Sequence, residues 1–319
     1  MTPLYRALEF SARHGRWGLV VGLGLGFALP DLASIMRPWL PEMVAALLFI
    51  TAFRVGYRAS VGQLTALPRV LIEVLILQLG LSLVAIAVVW ALGLTQVTAA
   101  LAIVLMLSAS SISGSPNFAV LLGHDPAPAM QVLVIGTALF PLTSIPILLL
   151  MGPDIGDLAS VLSSCLRLVA IVFVATGLGF ACRAVLLRHP NPAQIRRLDG
   201  LGVVALAIIV VGLMAGIHPL LNQSPVALMG WVLLVFAANF GLQAVTYNIL
   251  GRTSLPERRV PLSIIAGNRN VALFFLALPE ATADQLLPFI GCYQLPMYLT
   301  PVLLRRMYRT TQVQAPNTQ

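Results

Sequence analysis

Arg269 is the costliest residue in this chain. It stands in Gly267-Asn268-Arg269-Asn270, inside the apolar stretch from Val260 to Leu278. An arginine at the centre of a membrane helix costs about 2.5–3.5 kcal/mol on insertion scales, so it faces a cavity or a partner. One glycine and two asparagines beside it favour an interrupted helix. A related stretch, Gly114-Ser115-Pro116-Asn117, sits in an earlier apolar run, with Gly114 and Gly267 153 positions apart. Both read Gly-x-x-Asn, then an apolar residue, then Ala (Ala119 and Ala272). Backbone groups freed by a break at membrane depth need protein or a water-lined cavity. Helices restarting near Pro116 and Arg269 would point partial positive charge inward, with Ser115 as N-cap before Pro116. With the charge of Arg269 and the amides of Asn117, Asn268 and Asn270, the expected guest is an anion, a carboxylate above all.

The candidate substrate- and ion-binding set is therefore Gln78, Ser113, Ser115, Asn117, Thr137, Asn268, Arg269 and Asn270, with Gly114, Pro116 and Gly267 as helix breakers. Each has a structural alternative. Arg269 would pair with Glu73 or bond the carbonyls freed by the other break. Asn117 and Asn270 would cap or bridge the two interrupted helices. Gln78 would make a helix–helix hydrogen bond, and Thr137 would pack. His124 and His218 lie near span ends and read as loop residues. The Ser-rich segment from Leu107 to Ser115 lacks a paired His and acid, and no phosphate-binding loop occurs. The expectation is a non-enzyme without a cofactor. The three cysteines, Cys165, Cys182 and Cys292, lie in apolar runs without metal-ligand spacing and read as small packing residues.

The elements that must hold these residues are membrane helices. Of 319 residues 59% are hydrophobic and 9% charged, against roughly a quarter charged in soluble domains. The apolar runs are too long for the alternating strands of an outer-membrane barrel. About 20 residues per span leaves room for ten helices with short loops. They fall at 17–29, 39–53, 70–92, 97–122 with a break at 113–117, 129–151, 162–185, 201–217, 226–250, 260–278 with a break at 267–270, and 286–304. The tail after Tyr308 is polar and reads as disordered.

The two halves repeat. Gly24-Leu25-Gly26-Phe27-Ala28 recurs as Gly177-Leu178-Gly179-Phe180-Ala181, again 153 positions on. This favours a retained first span over a cleaved signal peptide. Ile135-Gly136, Pro141 and Pro146 recur as Ile290-Gly291, Pro296 and Pro301. Residues 1–153 read as a first five-helix unit and 154–319 as a second.

All 19 basic residues are Arg, and the net charge is +8. The arginines stand in ones to threes between apolar spans, a topology signal rather than a nucleic-acid surface. Arg6, Arg13, Arg16, Arg54, Arg58, Arg69, Arg183, Arg188, Arg196, Arg197, Arg252, Arg258, Arg259, Arg305, Arg306 and Arg309 fall on one side. Arg37 falls on the other, while Arg167 and Arg269 lie within spans. Both termini are then cytoplasmic in an inner membrane, and five spans per unit inverts the second copy. Inverted repeats with discontinuous helices at the midplane characterise secondary transporters.

Together these features resemble the bile acid:sodium symporter family, within the superfamily of bile acid, arsenite, riboflavin and auxin-efflux transporters. The resemblance covers roughly residues 15–308 through short motifs. It implies a panel domain of spans 1, 2, 6 and 7 and a core domain of spans 3–5 and 8–10. Spans 4 and 9 would cross inside the core, and substrate would bind between the two domains. Asn117, Asn270, Thr137 and Gln78 match the family's ion-site residues. Sodium-coupled members carry a Glu two residues before the span 9 Gly and a Gln two after it; this chain has Ile265 and Arg269 there. A hydroxyl before the span 4 Asn is replaced by Pro116. Hard cations need oxygen ligands and negative charge, so the expectation is a small-organic-anion transporter without the usual sodium site, with Arg269 standing in for the ion. Coupling to H⁺ stays open. So do a sodium symporter with a displaced site and, from another class, a membrane solute sensor or regulatory subunit. The expected partners are the anion and the lipid bilayer, with no nucleic acid; oligomeric state is not specified.

Overall fold

The computed structural model describes residues 3–56, 67–151 and 158–309. Arg58, Pro153, Asp154, Asp157 and the tail after 309 lie outside the described residues. The order is α1 (Pro3–Arg13), α2 (Gly15–Ala28), α3 (Pro30–Met36), α4 (Leu40–Val55), α5 (Leu67–Val74), a π turn (Leu75–Gly80), α6 (Leu81–Ala91), α7 (Thr98–Ser108) and α8 (Ser115–Leu121). There follow α9 (Ala127–Leu150), α10 (Leu158–Leu186), α11 (Pro192–Leu213), α12 (Ile217–Gln223), α13 (Pro225–Leu250) and α14 (Pro256–Gly267). A 3₁₀ turn (Val271–Leu276), α15 (Glu280–Leu303) and α16 (Arg305–Arg309) complete it. Among the described residues there is no strand beyond one isolated bridge, Ser111 to Arg269. Seven helical segments are long and apolar enough to cross a membrane. The chain is an all-α membrane protein that crosses several times.

Local chemistry sets the boundaries. Pro192, Pro225 and Pro256 open their helices, where the missing N–H costs nothing. Asn191 and Gln194 form a reciprocal capping box before α11, which starts nine residues ahead of the expected span. α9 contains Pro141 and Pro146, and α15 contains Pro288, Pro296 and Pro301. Hydroxyls beside them bond the local helix backbone: Ser144 donates to Pro141 O at 3.2 Å, and Thr300 to Pro296 O at 3.0 Å.

α2 lies along α11, and α4 lies between α10 and α11. α14 packs on α13 and α9, and α9 packs on α10 as well. Backbones approach closely at glycine: a Cβ on Gly26 would meet Val211 and Met214, and one on Gly179 would meet Phe49, Ala52 and Phe53.

Side chains near the helix ends pair with one another. Arg197 bonds Glu9 at 2.9 Å, Arg54 bonds Asp199 at 2.7 Å, and Arg258 pairs with Glu73 at 2.5 Å. His124 meets Tyr308 O at 3.2 Å. Arg37 pairs with Asp284, and His218 meets Gly26 O at 3.3 Å.

Candidate functional site

Both expected interruptions are present, and they meet. α7 ends at Ser108, residues 109–114 are extended or turn, and α8 restarts at Ser115. α14 ends at Gly267, and the chain resumes at Val271. Asn270 N donates to Ser110 O at 2.7 Å, and Ile112 N to Asn268 O at 3.2 Å. Two interrupted helices thus satisfy each other's backbone at a depth where water would otherwise be needed.

The restarts differ from expectation. Gly114, not Ser115, occupies the N-cap position of α8. Ser115 is the first helical residue; its Oγ lies 2.8 Å from Ser111 Oγ. After the second break only the 3₁₀ turn forms. Its six residues are followed by Ala277-Leu278-Pro279, and the residue before proline is pushed away from helical conformation. No α-helix begins near Arg269, so no helix macrodipole adds to its charge.

Arg269 is 1% exposed and fully engaged. Its Nε donates to Ala266 O at 2.9 Å, one terminal nitrogen to Ala109 O at 3.1 Å, and the other to Leu77 O at 3.0 Å. These three carbonyls belong to α14, the first break and the π turn. Of the two structural alternatives for Arg269, the bonds are those to freed carbonyls; Glu73 pairs with Arg258, which also donates to Gln131 Oε1 at 3.0 Å. The π turn places Gln78 (1% exposed), whose Oε1 accepts from Thr143 at 3.1 Å. Thr137 is half-buried, and its side chain makes no hydrogen bond among the described residues. Thr143, one and a half turns further along α9, is the partner that the sequence reading missed.

A second buried network clamps the other side of the crossing. Asn239 donates to Gly267 O at 2.5 Å, and Tyr293 donates to the same carbonyl. Gln243 donates to Asn239 Oδ1 at 2.6 Å and to Thr300 Oγ1 at 2.9 Å, and Tyr308 donates to Gln243 Oε1 at 2.7 Å. Asn268 is wholly buried; its amide donates to Ile264 O at 2.8 Å and accepts from Thr300. Asn239 and Gln243, four apart within an apolar helix, were the signal available for this network.

The expected site residues divide by access. Gln78, Ser115, Asn268 and Arg269 are buried and internally bonded. Ser113 and Asn117 line a cavity of about 430 Å³ between α4, α8 and α11. Its walls include Ile50, Thr51 and Val55 of α4, Val203 and Leu206 of α11, and Phe118, Val120 and Leu121 of α8. Arg13, Arg54, Arg196 and Asp199 also line it. Asn270 and Arg269 line a separate chamber of about 20 Å³ with Gln294 and Met297, large enough for about one water. Ile112 and Leu206 line both spaces, so they lie where the two adjoin. Among the described residues no cluster of three metal-ligating side chains occurs.

Comparison with known proteins supplies no relative: no family model matches the chain, and no curated protein matches it.

Proposed function

We propose that the chain is a secondary transporter of a small organic anion, working by alternating access in the inner membrane. The observation that carries this reading is the joined pair of helix interruptions, with a cavity beside the first of them, between α4, α8 and α11. The seven long spans, the α1–α2 run and the two interrupted helices make ten crossings. Gly26 and Gly179 support an inverted repeat: the first packs span 1 on span 7, the second packs span 6 on span 2. A two-fold exchange of the halves interconverts these contacts. α2, α4, α10 and α11 form the panel, and the remaining spans form the core. The distribution of arginines between the spans supports cytoplasmic termini.

In this reading Arg269 is the built-in cation, tying α14, the π turn and the first break as a bound metal ion would. Its burial beside a water-sized chamber argues against direct contact with an organic anion in this conformation. Ser113 and Asn117, exposed in the cavity, take that role. Transport is then independent of Na⁺, and the kinship is with bile acid:sodium symporters that have exchanged an ion for a side chain. The test is flux in proteoliposomes. Uptake of carboxylates or sulfonates that persists when Na⁺ is replaced by choline supports the reading. Absence of flux for a broad panel of organic anions, under every Na⁺ and pH gradient, overturns it.

A further inference from the structure

The large cavity is charged on one wall and neutral on the other. Among the described residues its charged lining is Arg13 of α1, Arg54 of α4, and Arg196 and Asp199 of α11, all on panel-side helices. The core wall offers Ser113, Asn117, Tyr298 and apolar side chains. Asp199 is held by Arg54 at 2.7 Å, so that pair is largely neutralised. Arg13 and Arg196 are exposed, and their side chains make no ion pair or hydrogen bond among the described residues. Neighbouring Arg197 differs: it bonds Glu9 and lies 4.2 Å over the Tyr5 ring. The cavity mouth thus carries two uncompensated positive charges.

We propose that Arg13 and Arg196 form an electrostatic antechamber that captures organic anions at the arginine-bearing face and makes it the high-affinity face of the carrier. This inference rests on the transporter reading above. A mouth lined by one sign of charge, with low-dielectric walls behind it, concentrates the opposite ion and raises capture rates by about 10–10³-fold. The benefit falls as salt shortens the screening length. Both guanidiniums belong to the panel side, away from Ser113 and Asn117. They therefore act on capture rather than on the deeper step, which a change in half-saturation without a change in maximal rate would report. An aromatic sulfonate is a suitable probe, its apolar body set against Val55, Val120, Leu121 and Val203.

The full chain is tested with naphthalene-2-sulfonate and its neutral counterpart, naphthalene-2-methanol, with aliphatic sulfonates and carboxylates alongside. Binding is followed by calorimetry in detergent, and uptake in right-side-out and everted membrane vesicles. The expected result is tighter anion binding at low salt, weakened about tenfold in Arg13→Gln/Arg196→Gln, with most of the salt dependence lost. Binding of the neutral alcohol stays unchanged, and Arg13→Lys/Arg196→Lys restores anion binding. Half-saturation is about tenfold lower in everted vesicles, where the arginine-bearing face meets the medium. Anion binding that is equal in the wild type and the Gln pair, or equal half-saturation from both faces, overturns the antechamber and leaves the transporter standing. Absence of both binding and flux for every anion overturns the transporter reading and the antechamber with it.

Discussion

The guanidinium of Arg269 donates to the Ala109 carbonyl at 3.1 Å, joining two helix breaks that lie half the chain apart. The same group holds Leu77 O and Ala266 O. Removing it leaves three carbonyls short of donors in a water-poor interior, where each unsatisfied polar group costs about 1–3 kcal/mol. Arg269→Gln is therefore expected to lose about 3–5 kcal/mol and to unfold at a markedly lower temperature in detergent. A cation role makes a sharper demand. Added Na⁺ should restore part of the stability of Arg269→Gln and leave the wild type unmoved, while choline helps neither. A Gln variant as stable as the wild type in both salts would remove the guanidinium from any central role.

Glu73 and Arg258 give a matching case at the arginine-bearing end of the core. Their side chains are 13% and 6% exposed, and the two groups meet at 2.5 Å. Removing one partner of a buried pair strands the other, at about 3–5 kcal/mol. Glu73→Gln should be destabilised on that scale, and Glu73→Gln/Arg258→Met substantially less. A double-mutant cycle on unfolding temperature checks this: additive losses would mean that the pair contributes nothing beyond its separate contacts.

Much of this arrangement was legible in the sequence. The breaks at Gly114 and Gly267 could be read because Gly, Pro and Asn punctuate an otherwise apolar run, and Arg269 announced itself by its cost. Which group would meet Arg269 was not legible. Its three partners are backbone carbonyls, and a carbonyl leaves no trace in residue type. The failed helix restart at Arg269 was missed because a span-length apolar run does not reveal that Val271–Leu276 winds as 3₁₀. Arg13 and Arg196 read only as topology markers. Their place on a cavity wall follows from packing α1 along α11, a contact made by Arg197 with Glu9 and Tyr5 and by the close approach of Gly200 to Leu8.

Tyr308 lies on the five-residue α16, fully buried, and its hydroxyl ends the chain of bonds through Gln243 and Asn239 to Gly267 O. Its backbone carbonyl meets His124 just beyond α8. One residue is thus bonded just beyond α8 and linked through α13 to the end of α14. Tyr308→Phe removes the donor and leaves Gln243 Oε1 unpaired, an expected loss of about 1–2 kcal/mol. Hydrogen exchange at residues 264–270 should rise in the same variant. Exchange confined to α16 would show that the bonds do not act in series.

The repeated Gly-Leu-Gly-Phe-Ala motif makes a matched prediction across the two halves. Space is absent at the second glycine of each copy: a Cβ on Gly26 would approach Met214 Cβ to 2.8 Å, and one on Gly179 would approach Phe49 O to 2.7 Å. Space is present at the first: a Cβ on Gly24 or Gly177 meets nothing within 4 Å. Overpacking typically costs about 1–3 kcal/mol, and backbone contacts such as Phe49 O have the least room to give. Gly26→Val and Gly179→Val are expected to be destabilised by at least that much, and Gly24→Ala and Gly177→Ala to unfold near the wild-type temperature. Four variants, each scored by thermal unfolding in detergent, decide it. A pattern that follows the position within the motif, rather than the half of the chain, is what two equivalent units related by a two-fold axis require. A large loss at Gly26 with none at Gly179 would break the equivalence and remove the support that these glycines lend to the inverted repeat.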